Sequence, residues 1–252
     1  MIIKSKKIII TYITIIILIL GLSVTFISLF DSVTTYNSNG KKPIYYVKTN
    51  EKKIAITIDT TWGEDNVKEM LDVFDKYNVK ATFFVIGKWM DQYKDDTIEI
   101  YKRGHELGNH SDYHKDFTKI SKGDIIKEIT DCDSKIKEVT GNTPKLLRAP
   151  KGAYNDLTVD IAEETGHYLI QWDVDSIDWK NVGLEEEYKR VRSKCKEGSI
   201  LLFHTGTKNT VKNLDKLIGE LTKEGYQFVT VSDLIYKKDY KIENDGGQTV
   251  KQ

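Results

Sequence analysis

From about Lys41 the chain alternates short β-branched apolar runs with longer stretches whose apolar residues recur every three or four positions. The runs predict strands over 53–58, 81–86, 106–108, 146–148, 168–172, 199–203 and 227–230. The longer stretches predict helices over 66–77, 97–102, 157–165, 185–196 and 210–224. Another helix starts at Ser121, with Asp124 three residues on as a capping box, and Gly141 ends it. A last segment, 231–236, follows the final strand. Strands alternating with helices predict a parallel sheet, open or closed into a barrel, of about seven units. No internal repeat interrupts the pattern.

The first part of the chain has a different character. Ile8 to Phe30 is apolar and uncharged. As a helix it would span about 34 Å, enough for a bilayer core of about 30 Å. Lys4, Lys6 and Lys7 precede it, and no further Lys or Arg appears until Lys41. That bias predicts a cytoplasmic N-terminus with everything after Asp31 outside, in a single-pass cell-membrane protein. A secreted protein freed by signal-peptide cleavage is the alternative. The stretch exceeds the usual h-region of about 7–15 residues, and no clean A-x-A-type site is evident. The expected organisation is an anchor over 1–30, a stalk and lead-in over 31–50, one domain over 51–237 and a frayed polar tail over 238–252.

Lys plus Arg equals Asp plus Glu, 38 each, and no strongly basic block follows the first seven residues. Nothing in that balance points to a nucleic-acid partner. The two cysteines, Cys132 and Cys195, fall in helices not expected to be neighbours, so they read as separate small apolar side chains. No metal-type cysteine pair exists.

Candidate chemistry gathers where the apolar runs end. Asp59 closes IAITI, where a carboxylate is costly unless paired or used. His110 and His114 stand four apart in NHSDYH; in a helix their rings would share a face and suit a divalent metal. Arg148 precedes Ala-Pro-Lys-Gly, a tight turn whose N–H groups could face a ligand, and its fixed charge suits an ionised carboxylate. The run from Trp172 to Trp179 contains Asp173, Asp175 and Asp178; acids beside indoles suit a sugar site, or a capped loop over a tryptophan anchor. His204 ends ILLF as a candidate acid. His105 and His167 read as structural. Strand ends are where α/β folds place active sites, and the set suits metal-assisted hydrolysis.

These clusters, in this order, resemble the NodB-type polysaccharide deacetylases of carbohydrate esterase family four. The resemblance covers about 53–236 and includes VKATFFVIG, RGHELGNHS and EGYQFVTVSDL. It implies an α/β fold, a distorted (β/α) barrel of about seven parallel strands. It also implies a divalent metal, zinc or cobalt, on His110 and His114, with Asp59 as the base oriented by Arg148. His204 would be the acid tuned by Asp178. Trp179 and Leu202 would wall the acetyl pocket, and the Lys151 N–H would face the oxyanion.

One position departs from the family pattern: Thr60 stands where a second aspartate usually ligates the metal. Asp65 or Glu64 could replace it, waters could complete a two-histidine site, or the metal could be lost. Similar first motifs, with small residues before Trp-Gly, occur in a subgroup associated with sporulation and cell-wall modification. Lys151 also replaces an aromatic common in that turn. The expectation is a monomeric N-deacetylase of cell-wall amino sugars, peptidoglycan GlcNAc or MurNAc. An inactive wall-binding protein, an O-acetyl esterase and a chitooligosaccharide deacetylase are the alternatives.

Overall fold

The computed structural model describes residues 40–60, 63 and 66–251. The expected anchor, the stalk to residue 39, and Glu64 and Asp65 lie outside them. Among the described residues no helix is long and apolar enough to cross a membrane.

The strands are β1 (Tyr46–Val47), β2 (Lys53–Thr60), β3 (Thr82–Val85), β4 (Glu106–Asn109), β5 (Leu146–Leu147), β6 (Tyr168–Leu169), β7 (Val174–Asp175), β8 (Ile200–His204), β9 (Gln227–Phe228), β10 (Tyr240–Ile242) and β11 (Gly247–Val250). The helices are α1 (Val67–Lys76), α2 (Gly87–Gln92), α3 (Lys94–Lys102), α4 (Lys122–Thr140), α5 (Asp156–Glu164), α6 (Leu184–Lys194), α7 (Thr210–Lys223) and α8 (Val231–Leu234). Seven strands, ordered β6-β5-β4-β3-β2-β8-β7 and all parallel, make a half-barrel of the expected kind, and β9 pairs with the start of β2.

β2 is central because every residue after Lys53 is buried, as a parallel strand covered on both faces requires. Its period of two sorts the side chains. Ile54, Ile56 and Ile58 pack with Met70 and Phe74 of α1 and Leu214 and Leu217 of α7. Ala55 joins Phe84, Leu146 and Ile200 in a second cluster. Thr57 and Asp59 continue that second face, so it changes from apolar to polar toward the C-terminal ends of the strands. Gly108 on β4 permits close packing there: a Cβ would lie 2.7 Å from the Phe84 ring. α4 starts and ends where the sequence predicts: Ser121 Oγ accepts from the Asp124 N–H, though the Asp124 carboxylate takes the Ser121 hydroxyl and so does not complete a capping box, and Gly141 has φ 77°.

Both ends of the described chain depart from expectation. The segment read as a frayed tail forms β10 and β11, with β11 antiparallel to β10 and parallel to β1. The lead-in is therefore part of the folded body, with Ile44 and Val47 buried. Gln248, fully buried, accepts from the Tyr236 N–H at 2.8 Å and donates to its carbonyl at 2.7 Å. Polar residues that satisfy each other across a small sheet leave no apolar signal to read. The two cysteines are both free, as separate apolar side chains should be.

Candidate active site

The polar end of the inner face gathers Asp59, His110, Arg148, Asp178 and His204. Asp59 and His204 lie opposite each other in the β2–β8 register. His110 directly follows β4 and Arg148 directly follows β5. Asp178 follows β7 after Ile177, a β-branched residue at φ 53°. That strained geometry is anchored by the Ile177 N–H, which donates to Asp175 Oδ1 at 2.7 Å.

Arg148 is fully buried, its Cζ 4.0 Å from the centre of the Phe84 ring. It donates from Nη1 to Asp59 Oδ1 at 2.6 Å and to Thr57 Oγ1 at 2.9 Å, and from Nη2 to the Gln171 carbonyl at 3.0 Å. Burial opposes the Asp59 charge. Arg148, followed by His110 and His204, outweighs it and holds the carboxyl below its usual range. The other oxygen, Oδ2, lies 3.4 Å from His110 Nε2.

The two histidines meet differently from the helical expectation. Residues 110–116 are not helical, and Ser111 and His114 take φ of 68° and 56°. A loop, rather than a helix face, brings the rings to 4.9 Å between centroids. Burial lowers both pKa values, that of His114 to about 4, so both are neutral imidazoles near pH 7. His110 Nδ1 donates to the Arg148 carbonyl at 2.9 Å, since a carbonyl can only accept. Nε2 therefore presents a lone pair beside an ionised carboxylate. Such an electron-rich corner fits a cation, and the bonded Nδ1 supplies the outer support that metal-binding histidines usually have. Among the described residues no cluster of three His, Cys, Asp or Glu adds a third ligand. Thr60 is buried, with Oγ1 3.5 Å from the Phe84 carbonyl, too long for a good hydrogen bond.

Asp178 Oδ1 accepts from His204 Nδ1 at 2.7 Å, and Oδ2 accepts from the His204 N–H at 2.9 Å and Thr210 Oγ1 at 2.6 Å. Burial disfavours both charges. The mutual hydrogen bond overcomes it, raising the His204 pKa and lowering that of Asp178.

The remaining sequence candidates divide. Leu202 is buried on β8, two residues before His204 on the same face; Trp179 is about half exposed, its N–H donating to Asp178 Oδ1. Lys151 has φ 61° within a short 3-10 turn. Asp173 belongs to the scaffold: it accepts from Ser199 Oγ and the Ile200 N–H, each at 2.9 Å. Asp175 Oδ1 likewise holds its own turn, accepting from the Ile177 N–H. His105 is structural, accepting from the Ala81 N–H beside Phe74 and Phe83. So is His167, whose ring meets Thr165 and Asp133. Sequence reasoning missed Thr57, Gln171 and Thr210; only Thr57, two before Asp59 on one strand, left a signal.

A family model described as polysaccharide deacetylase matches residues 46–170. The peptidoglycan-N-acetylglucosamine deacetylase of Bacillus cereus is 36% identical, with 76% of this chain and 92% of that protein covered. The chain belongs to the polysaccharide deacetylase family. PdaC of Bacillus subtilis, a peptidoglycan-N-acetylmuramic acid deacetylase, is 35% identical over 75% of this chain. This deacetylase-family chain spans only 40% of PdaC and 60% of YlxY, another Bacillus subtilis relative. Among solved structures, a CE4 family pseudoenzyme from Bacillus anthracis aligns with TM-score 0.73 and 31% identity, covering 76% of this chain and 68% of that one. A mutant of the same protein, described as having restored enzymatic activity, aligns with the same TM-score at 32% identity, covering 76% of this chain and 70% of that one.

Proposed function

We propose that the chain is a metal-dependent hydrolase that removes N-acetyl groups from amino sugars of a cell-wall polysaccharide, peptidoglycan foremost. One observation carries this reading: a carboxylate clamped by Arg148 on one oxygen faces a neutral His110 with the other, on a strand in register with His204. His110 and His114 would hold the cation, zinc or cobalt. Bound there, it would supply a Lewis acid that acidifies water and polarises an amide carbonyl.

Asp59, kept ionised by Arg148, takes a proton from the attacking water. The water oxygen bonds to the acetyl carbon and the C–N bond breaks. His204, held protonated by Asp178, gives its proton to the leaving nitrogen, so the products are acetate and a free amine. The Lys151 N–H stabilises the oxyanion, and Trp179 and Leu202 flank the acetyl methyl. The relatives that deacetylate peptidoglycan support the substrate class. The apolar stretch at 8–30 supports a cell-membrane anchor with the domain outside; a mature N-terminus beyond Phe30 would show secretion instead.

A second reading has its own support. Thr60 replaces the usual acid, and a family pseudoenzyme is among the structural neighbours. On that reading the chain binds wall glycan without cleaving it. The test is acetate release from purified peptidoglycan by the full chain with added zinc or cobalt, beside His110→Ala. Release by the unsubstituted chain alone establishes hydrolysis. No release by a folded chain that still sediments with the wall favours the binder, and release retained in His110→Ala/His114→Ala rejects the metal mechanism.

A further inference from the structure

The loop bearing His110 and His114 is held by backbone bonds to Val85, Gly87 and Lys88 and, at three of its N–H groups, by side chains. Asn109 Oδ1 accepts from the Ser111 N–H at 2.7 Å, and Ser111 Oγ accepts from the His114 N–H at 2.8 Å. Glu128 Oε2 accepts from the Tyr113 N–H at 2.7 Å. These bonds oppose the cost of left-handed backbone at Ser111 and His114, which non-glycine residues adopt only when their surroundings over-determine it.

Two of the acids involved come from α4. Its buried face carries Ile125, Ile129, Cys132 and Ile136, and among them Glu128 and Asp133. A carboxylate on such a face is costly without a partner. Asp133 Oδ1 accepts from Asn109 Nδ2 at 2.7 Å and lies 3.2 Å from His167 Nε2. Asn109 Nδ2 also donates to the Ile129 carbonyl at 2.8 Å. Asp133 Oδ1 and the Ile129 carbonyl both accept here, so together they make the Asn109 amide present nitrogen to α4 and oxygen to Ser111.

We infer that Asp133 is a positioning residue for the His110–His114 pair, acting through Asn109 and Ser111 without touching either histidine. The inference rests on the metal reading of that pair only for its first readout. Without the Asp133 carboxylate the Asn109 amide keeps only the Ile129 carbonyl as acceptor, and its position is held less firmly. The Ser111 N–H is then held less well by Asn109 Oδ1, and with it the Ser111 hydroxyl that accepts from the His114 N–H.

The first readout is zinc affinity of the purified full chain, by competition with a chromophoric chelator. Asp133→Ala should weaken binding tenfold or more, the range found when outer supports of metal ligands are removed. Asp133→Asn, which keeps an oxygen for Asn109, should bind close to the unsubstituted chain. Should Asp133→Ala fail to fold, Asp133→Leu fills similar space without an acceptor and carries the same expectation. Unchanged affinity in a folded Asp133→Ala or Asp133→Leu chain overturns the assignment. If the unsubstituted chain binds no zinc, the metal reading has failed, and amide exchange decides the positioning role. The Ser111 and His114 N–H groups should then lose protection in Asp133→Ala while β4 and α4 keep theirs; equal protection at those two amides rejects it.

Discussion

Replacing Arg148 with Met tests whether the Asp59–Arg148 pair works as the structure places it. Met keeps much of the length and the contact with Phe84 but removes the charge and the donors. Both partners are buried, Asp59 at 4% exposure and Arg148 at 0%, so solvent screens little of the loss. Breaking a buried pair from one side typically costs about 3–5 kcal/mol, because the remaining charge is stranded. Thr57 Oγ1 and the Gln171 carbonyl each lose a donor as well, which favours the upper end. For a domain of this size about 2–4 °C accompanies each kcal/mol, so the melting temperature should fall by about 6–20 °C at pH 7.

The dependence on pH separates this cause from simple loss of packing. With Arg148 present, the Asp59 pKa lies below its ordinary value of 3.8. Its stabilising contribution is therefore complete above that value and is lost as pH falls through the folded-state pKa. In Arg148→Met, burial loses its chief opponent and favours the protonated acid, so acidification relieves the stranded charge. The gap between the two proteins should narrow from pH 7 to pH 3 when melting is followed by circular dichroism. A gap below about 3 °C at pH 7, or one that stays constant with pH, would refute the reasoning.

Three further expectations follow from the same geometry. Asp178→Asn removes the charge that raises the His204 pKa, so the alkaline limb of the deacetylation profile should move to lower pH; an unmoved limb, measured as kcat/KM against pH, removes Asp178 from that role. Asp173→Ala should cost about 1–3 kcal/mol by stranding Ser199 Oγ and the Ile200 N–H, while leaving turnover per folded molecule unchanged; thermal melts beside acetate release would show otherwise. Thr60→Asp should tighten zinc binding tenfold or more. Acetate release that appears only in that variant identifies Thr60 as the lesion of an inactive protein, and equal affinity in both proteins shows that position 60 does not reach the cation.

Much of the site was legible because its residues end strands, and strand ends are marked by a local pattern. Asp59 after IAITI and His204 after ILLF needed only an apolar run followed by a polar residue. The spacing of His110 and His114 identified the pair but not the backbone that joins it. A helix would need its amide groups for its own ladder, whereas here side chains take those of Ser111, Tyr113 and His114. Two of those partners, Asn109 and Ser111, are local, while the third, Glu128, and the Asp133 that meets Asn109 lie on α4, which no local pattern could announce. The terminal strands were hidden for a related reason. β1, β10 and β11 are short, β1 finds β11 only across about 200 residues, and polar pairs such as Lys48 with Glu243 hold them.

On the proposed mechanism, the site's division of labour comes from two carboxylates given opposite company on one polar edge. Asp59 is paired with a permanent cation and remains an ionised acceptor. Asp178 is paired with a titratable imidazole, and its charge makes His204 a better holder of a proton. Environments that push an acid and a base apart in this way let one edge of a sheet accept a proton and return another at the same pH. Arg148 and Asp178 set those two environments from opposite flanks of the β2–β8 pair. Loss of Arg148 should therefore affect chiefly the proton-accepting step, and loss of Asp178 chiefly the proton-donating one.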